Sequence, residues 1–186
     1  MRLFAAVELP AEARREIEDR VAHERGRLPA ASWVRAENLH LTLAFFGEVA
    51  ESALRELTAS LAAATAPLAP IAARLAGAGG FPPRGPVRVV WLGVEPVESL
   101  ARLAQAIREA AARAGAPADD KPFQSHVTLA RCRRPWPPAA RERLPALAPS
   151  EPIALEIGAA ALIASELAPG GSRYTRLAAL GLGGAA

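Results

Sequence analysis

Three histidines occur in this 186-residue chain, and two stand in the same four-residue setting: His40-Leu41-Thr42-Leu43 and His126-Val127-Thr128-Leu129. An imidazole titrates near neutrality, so one ring can accept a proton while another donates it. A threonine hydroxyl two residues along can donate to an oxygen of a tetrahedral anion. Brought face to face, the two motifs would hold such an anion between an acid and a base without help from a metal. The chain has only 5 threonines, so chance alone poorly explains one at i+2 from two of the three histidines. The third, His23, falls on the polar side of the first helix and reads as a solvated surface residue.

Strands are the elements that would present these residues. Side chains alternate across a strand, so His40 and Thr42 share one face while Leu41 and Leu43 take the other. His126 and Thr128 do the same against Val127 and Leu129. By the same parity Phe46 falls on the His40 face, where it could stack on a base.

Periodicity predicts strand and helix in alternation. Leu3–Glu8 reads as a buried strand stopped by Pro10, and Ala11–Arg25 as a helix with Ala13, Ile17 and Val21 inward. Trp33–Arg35 and Leu39–Phe46 are short strands, Ser52–Ala64 is a helix, and Ile71–Ala78 is a strand leading into a Gly/Pro loop from Gly79. Val87–Val94 is a strong strand, followed by the helix Val97–Ala114 and the strand His126–Arg131. A Pro-rich segment, Pro135–Pro149, precedes the strand-like Ile153–Ile157, Ala160–Ser165 and Tyr174–Leu180.

A shift of 86 residues lays the first half of the chain on the second without a gap. Arg2 falls on Arg88, Pro10 on Pro96, Ile17 on Leu103, His40 on His126 and Thr42 on Thr128. Such an echo suggests one domain over residues 1–186, built of two lobes that face each other across a pseudo-twofold axis and leave a cleft between them.

Composition narrows the alternatives. At 51% hydrophobic and 22% charged, the chain has enough apolar material for a core, which excludes wholesale disorder. The formal charge is +3, and Lys121 is the only lysine among the 22 basic residues. Arginine's planar fork matches phosphate oxygens, so the balance suits a phosphate-bearing partner. One cysteine, Cys132, excludes an internal disulfide framework and a Cys-cluster zinc site. No G-x-S-x-G elbow occurs, and Ser125 points to the face opposite His126, so a serine hydrolase lacks support. Gly77-x-Gly79-Gly80 is too loose for a phosphate cradle. No apolar stretch reaches the ~18 residues a bilayer requires, and Glu8 comes too early for a signal peptide. A cytoplasmic setting is expected, with neither metal nor cofactor.

The paired His-x-Thr motifs do not stand alone. Arg2-Leu3-Phe4, Asn38-Leu39 ahead of the first motif, Gly47-Glu48-Val49 after it, Pro122-Phe123 ahead of the second and Ala130-Arg131 after it complete a pattern. It resembles the two-histidine (2H) phosphoesterase superfamily, and within it the RNA 2′,3′-cyclic phosphodiesterases, historically called 2′-5′ RNA ligases. The likeness runs to the closing Gly170-Gly171-Ser172-Arg173-Tyr174. One departure is Ser125, where many members carry Pro; it is expected to alter loop stiffness rather than chemistry.

The resemblance implies a bilobal α+β fold, each lobe an antiparallel sheet with helices outside and one motif on each wall of the cleft. It implies metal-free opening of a 2′,3′-cyclic phosphate at an RNA end, leaving a 2′-phosphate. His40 is then the general acid and His126 the general base, an order that sequence symmetry alone cannot choose. Thr42 and Thr128 would hold the non-bridging oxygens.

Arg131 matches a family position associated with the substrate phosphate. Strict alternation nevertheless puts it with Val127 and Leu129, unless the strand ends or bulges near Ala130 or the side chain curls round the edge. Tyr174 matches a family position near the C-terminus. Expected partners are RNA ends or cyclic nucleotides, tRNA fragments among them, with no membrane, and one core of this size could stand as a monomer. Two alternatives remain open. One is the reverse reaction, which joins a cyclic phosphate to a 5′-hydroxyl. The other is an inactive RNA-binding module of the same fold, which has no need of two acid/base groups.

Overall fold

The computed structural model describes residues 1–168 and 171–184, the side chain of Ala168 excepted. Gly170, which opens the closing segment quoted above, lies outside the described residues. The strands are β1 (Arg2–Glu8), β2 (Ser32–Trp33), β3 (His40–Glu48), β4 (Ile71–Phe81), β5 (Val87–Glu95), β6 (His126–Trp136), β7 (Ile153–Ile157), β8 (Ala159–Ala168) and β9 (Gly171–Gly181). The α-helices are α1 (Ala11–Glu24), α2 (Leu54–Thr65) and α3 (Val97–Arg113). The Pro-rich segment forms a 3₁₀ turn structure over Pro138–Leu147, suited to prolines that cannot donate to a ladder.

Local chemistry sets these boundaries. Pro10 and Pro96 lie just before α1 and α3, and each helix carries a glutamate in its first turn, Glu12 or Glu98, facing the positive end of the dipole. Helix α3 stops at Gly115, whose φ of 74° only glycine adopts freely. The Gly115 amide donates to the Ala112 carbonyl and the Ala116 amide to the Ala111 carbonyl, which closes the last turn.

Strand β4 runs further than its sequence suggests. Gly79 and Gly80 belong to the strand because neighbouring side chains fill the space a Cβ would need. A Cβ at Gly79 would meet the Trp91 ring at 2.5 Å, and one at Gly80 would meet Val87 at 2.7 Å. These glycines act as a passage for packed side chains rather than as a turn. The extension carries Phe81 to the site face.

The fold is α+β. Among the described residues one antiparallel sheet runs in the order β7-β4-β5-β6-β3-β1-β8-β9, with β2 added against β6. Its two halves meet where β3 pairs with β6 through Leu41 and Val127, residues that coincide under the 86-residue shift. An antiparallel pair matching equivalent residues carries a local twofold axis. The halves do not follow the 86-residue division: β4, which precedes residue 87, joins β5, β6 and β7, while β8 and β9 return to β1. The ungapped shift also slips by one in the first strands: Glu8 pairs with His40, but Gly93, not Val94, pairs with His126.

All three helices pack on one face of the sheet. Ala13 and Ile17 of α1, Leu57 and Leu61 of α2, and Leu100, Leu103 and Ile107 of α3 join Leu41, Leu43, Val127 and Leu129 in a single core. One core therefore spans both halves and leaves the opposite face of the sheet open. Among the described residues that face holds a small buried cluster of Phe4, Ala6, Ala161 and Ile163, with Tyr174 against it. Among the described residues no helix is long and apolar enough to cross a membrane.

Candidate active site

Pairing Leu41 with Val127 sets His40 and Thr42 of β3 against Thr128 and His126 of β6, with all four side chains on the face away from the core. Each strand then makes the same irregularity. Along β3 the register passes from Thr42 to Ala44, leaving Leu43 unpaired; along β6 it passes from Thr128 to Ala130, leaving Leu129 unpaired. These are β-bulges, and each reverses the parity of the residues beyond it. Burial records the reversal. Leu43 and Ala44 are both buried, as are Leu129 and Ala130, at 2%, 3%, 1% and 0% exposure.

The bulges decide two expected residues in opposite ways. Arg131 lands on the His126 face and lines the same cavity as Thr42, His126 and Thr128. Phe46 lands on the other face: it is 7% exposed and packs in the main core, while also contributing to the lining of the outer cavity described below. Its place on the site face is taken by Phe45, 40% exposed, whose ring lies 5.6 Å from Phe4. Phe46→Ala is accordingly expected to cost about 3–5 kcal/mol of stability. Phe45→Ala should leave stability nearly intact and raise KM. Urea denaturation alongside steady-state kinetics checks the pair, and the reverse pattern would remove the bulge from the account.

Both imidazoles are held alike. His40 Nδ1 lies 2.7 Å from the Asn38 carbonyl and His126 Nδ1 lies 2.8 Å from the Gln124 carbonyl. A carbonyl oxygen can only accept, so each Nδ1 carries a proton, and Nε2 is the atom left to gain or lose one. Asn38 is itself tied down, its side-chain amide donating to the Ser172 carbonyl at 3.0 Å. That bond links the His40 turn to the β8–β9 hairpin, whose Tyr174 ring stands edge-on to His40 at 5.4 Å. Phe4 lies 5.0 Å from the His40 ring, and Phe81 stands edge-on to His126 at 5.0 Å. Ser125 braces the second wall by donating to the Val94 carbonyl at 2.6 Å while its own carbonyl accepts from the Val94 amide.

Burial among these rings is the main cause that pushes both imidazole pKa values below the ordinary one. The Arg131 guanidinium pushes both the same way, and His126 adds to the effect on His40. The bonds from Nδ1 to the backbone oppose the shift in both rings, and Glu8 opposes it at His40 alone. Glu8 stands in register with His40 and is paired with Arg176 at 3.0 Å; the corresponding residue beside His126 is Gly93. His23, by contrast, is exposed on α1 beside Glu24. Among the described residues no group of three His, Cys, Asp or Glu side chains converges as a metal site would require.

The inner cavity, about 490 Å³, is lined by Thr42, Thr128, His126 and Arg131 with apolar walls that include Phe81 and Phe123. A second, outer cavity of about 750 Å³ adjoins it and is lined by Tyr174, Phe4 and Phe45 among others. The site thus brings together His40, His126, Thr42, Thr128, Arg131 and Tyr174. Two imidazoles, two threonine hydroxyls and a guanidinium share one face of the sheet, a set of groups suited to phosphoryl chemistry.

Residues 5–168 match the sequence model of the 2′-5′ RNA ligase superfamily. The chain belongs to that superfamily. An RNA 2′,3′-cyclic phosphodiesterase of Thermus thermophilus is 39% identical over 197 residues, covering 99% of this chain and 91% of that protein. Its Escherichia coli counterpart is 39% identical over 181 residues, covering 95% and 93%. Against a relative of the same name from Geobacillus stearothermophilus, the chain spans about half the length, 46%, at 36% identity. The crystal structure of TT0787 from T. thermophilus superposes with a TM-score of 0.83 at 36% identity, covering 99% of both chains. That of E. coli LigT complexed with 3′-AMP gives 0.77 at 33% identity and covers 97% of both.

Within this 2′-5′ RNA ligase superfamily chain, several site residues escape the motif. Phe4, Phe81 and Glu8 border the histidines, Phe45 stands against Phe4, and the carbonyls of Asn38 and Gln124 orient the two rings. A doubled apolar step in each strand, Leu43-Ala44 and Leu129-Ala130, is the signal that could have found Phe45. Phe81 sends none, because Gly79-Gly80 reads locally as a loop.

Proposed function

We propose that this chain hydrolyses 2′,3′-cyclic phosphates at RNA ends to 2′-phosphates, using His126 as general base and His40 as general acid. Water attacks phosphorus as its proton passes to His126 Nε2. The bond from phosphorus to O3′ breaks, and O3′ takes the Nε2 proton of His40. The product carries a 2′-phosphate and a free 3′-hydroxyl, and the two rings reset by proton exchange with solvent. Thr42 and Thr128 donate to the non-bridging oxygens while Arg131 offsets their charge.

The observation that carries this reading is the matched pair of imidazoles, each with Nδ1 fixed on a backbone carbonyl, on one face with both threonines. The single core supports action as a monomer, and the lone cysteine suits the cytoplasm. Incubation of an oligoribonucleotide ending in a 2′,3′-cyclic phosphate, with EDTA present, is expected to yield the 2′-phosphate at an undiminished rate. A 3′-phosphate product, or loss of the activity to the chelator, would overturn the proposal.

The pH dependence has a definite sign. The base must be neutral and the acid protonated, and both pKa values lie below the ordinary imidazole value. The bell-shaped profile of kcat/KM should therefore centre below about pH 6.5. Arg131→Gln removes a cation that depresses both rings, so it should move both limbs to higher pH while lowering the maximum. A profile unmoved by that substitution would separate Arg131 from the histidines.

A further inference from the structure

We infer that Arg141 is a positioning residue: from outside the catalytic cavity, its guanidinium fixes the turn after β4 that forms one wall of that cavity. This rests on the catalytic reading proposed above, because the wall matters to the reaction only if substrate sits against it. Arg141 belongs to the Pro-rich 3₁₀ segment and lines neither the inner nor the outer cavity. Phe81 and, in the turn, Pro82 and Pro83 do line the inner cavity, together with His126 and Thr128.

The turn has little backbone bonding of its own. It runs from Pro82 to Pro86, between the end of β4 and the start of β5. Three of its five residues are proline, so only Arg84 and Gly85 keep an amide hydrogen. The β4–β5 ladder ends where Phe81 pairs with Val89, and among the described residues no backbone hydrogen bond closes the turn.

Arg141 supplies what that backbone lacks. Its Nη1 donates to the Gly80 carbonyl at 3.0 Å, and its Nε and Nη2 donate to the Gly85 carbonyl at 3.2 and 3.1 Å. Nη2 donates to the Pro82 carbonyl as well. Three carbonyls from the strand end and the turn thus meet in one planar fork, a geometry that the compact ammonium of a lysine does not offer. Arg27, Arg74, Arg102 and Arg176 pair with glutamates, whereas among the described residues Arg141 has no carboxylate partner.

The fork has a firm base and a defined target. Ala140 and Leu144 are buried in the main core, and Leu144 packs so close to Gly80 that a Cβ there would lie 3.1 Å from it. On the far side of the sheet the Phe81 ring lies 5.3 Å from Trp91 and stands edge-on to His126 at 5.0 Å. A turn released by Arg141 carries Phe81 and the cavity wall away from His126. The imidazoles and threonines stay in place, because they sit on β3 and β6 with each Nδ1 fixed on the Asn38 or Gln124 carbonyl.

The test combines steady-state kinetics on a 2′,3′-cyclic mononucleotide with proton NMR of the three histidine rings. Arg141→Gln is expected to raise KM about tenfold with kcat changed by less than about threefold, since binding must then order the wall. Arg141→Lys keeps the charge without the fork and should resemble the glutamine variant; a wild-type KM for it would overturn the positioning role in favour of a simple field effect. In Arg141→Gln the His126 ring resonances should shift as the Phe81 ring current on them changes, while those of His40 and His23 hold. Unmoved His126 resonances, or equal movement at His40, would overturn the inference, as would a fall in kcat at constant KM. Should Arg141→Gln not fold, Gly85→Ala must give the same KM rise and the same His126 shift. It strains the turn directly, because Gly85 has a φ of 76° with open space around a new methyl. A wild type inactive on the cyclic phosphate would overturn the catalytic reading instead, and the His126 resonances would still decide whether Arg141 holds the wall.

Discussion

His40→Gln and His126→Gln are each expected to lower kcat by about 10³-fold, within the span of general acid–base catalysis. Glutamine keeps most of the ring's volume among Phe4, Tyr174 and Phe81, so the loss reads as chemistry rather than as a collapsed wall. The double variant should be little slower than either single one, because both protons move in one transition state and removing either transfer forfeits the benefit of the other. Single-turnover rates on a cyclic-phosphate substrate measure this. Losses that multiplied to about 10⁶ would mean that the rings act independently.

Thr42→Val and Thr128→Val come next, each expected to lower kcat by about 10²-fold with KM little changed. Valine keeps the methyl and the β-branch, so strand geometry survives and only the hydroxyl donor is lost. A donor aimed at charge that grows in the transition state contributes chiefly to kcat, at about 10²–10³ for one such group. A rise in KM at constant kcat would move the threonines from transition-state stabilisation to ground-state binding.

How much of this can be read from sequence depends on whether each feature is local. The His-x-Thr pairs, the inward faces of α1, α2 and α3, and the prolines that precede two of those helices are local patterns, and the structure places them as read. Phe46 fails because parity was carried across Leu43, where the backbone bulges; the same event in β6 is what delivers Arg131 to the site. A bulge changes no residue type, and its trace is only the pair of successive buried residues.

Other features are out of local reach altogether. Gly79 reads as a loop because its constraint is the ring of Trp91, on the neighbouring strand. The return of β8 and β9 to β1, which brings Tyr174 to His40 and Ser172 to Asn38, is a long-range pairing that no local period encodes. The carbonyls that orient both imidazoles are backbone atoms, equally invisible in a string of side chains.

The most direct measurement uses a cyclic phosphate substrate whose 3′ bridging oxygen is replaced by sulfur. A thiolate leaves without being protonated, so a missing general acid should cost little and a missing general base should cost as much as before. The His40→Gln variant is expected to recover to within about tenfold of the wild type on this substrate, and the His126→Gln variant to remain about 10³-fold slow. Recovery of the His126 variant instead, or of neither, would contradict two rings passing protons in opposite directions across one phosphorus.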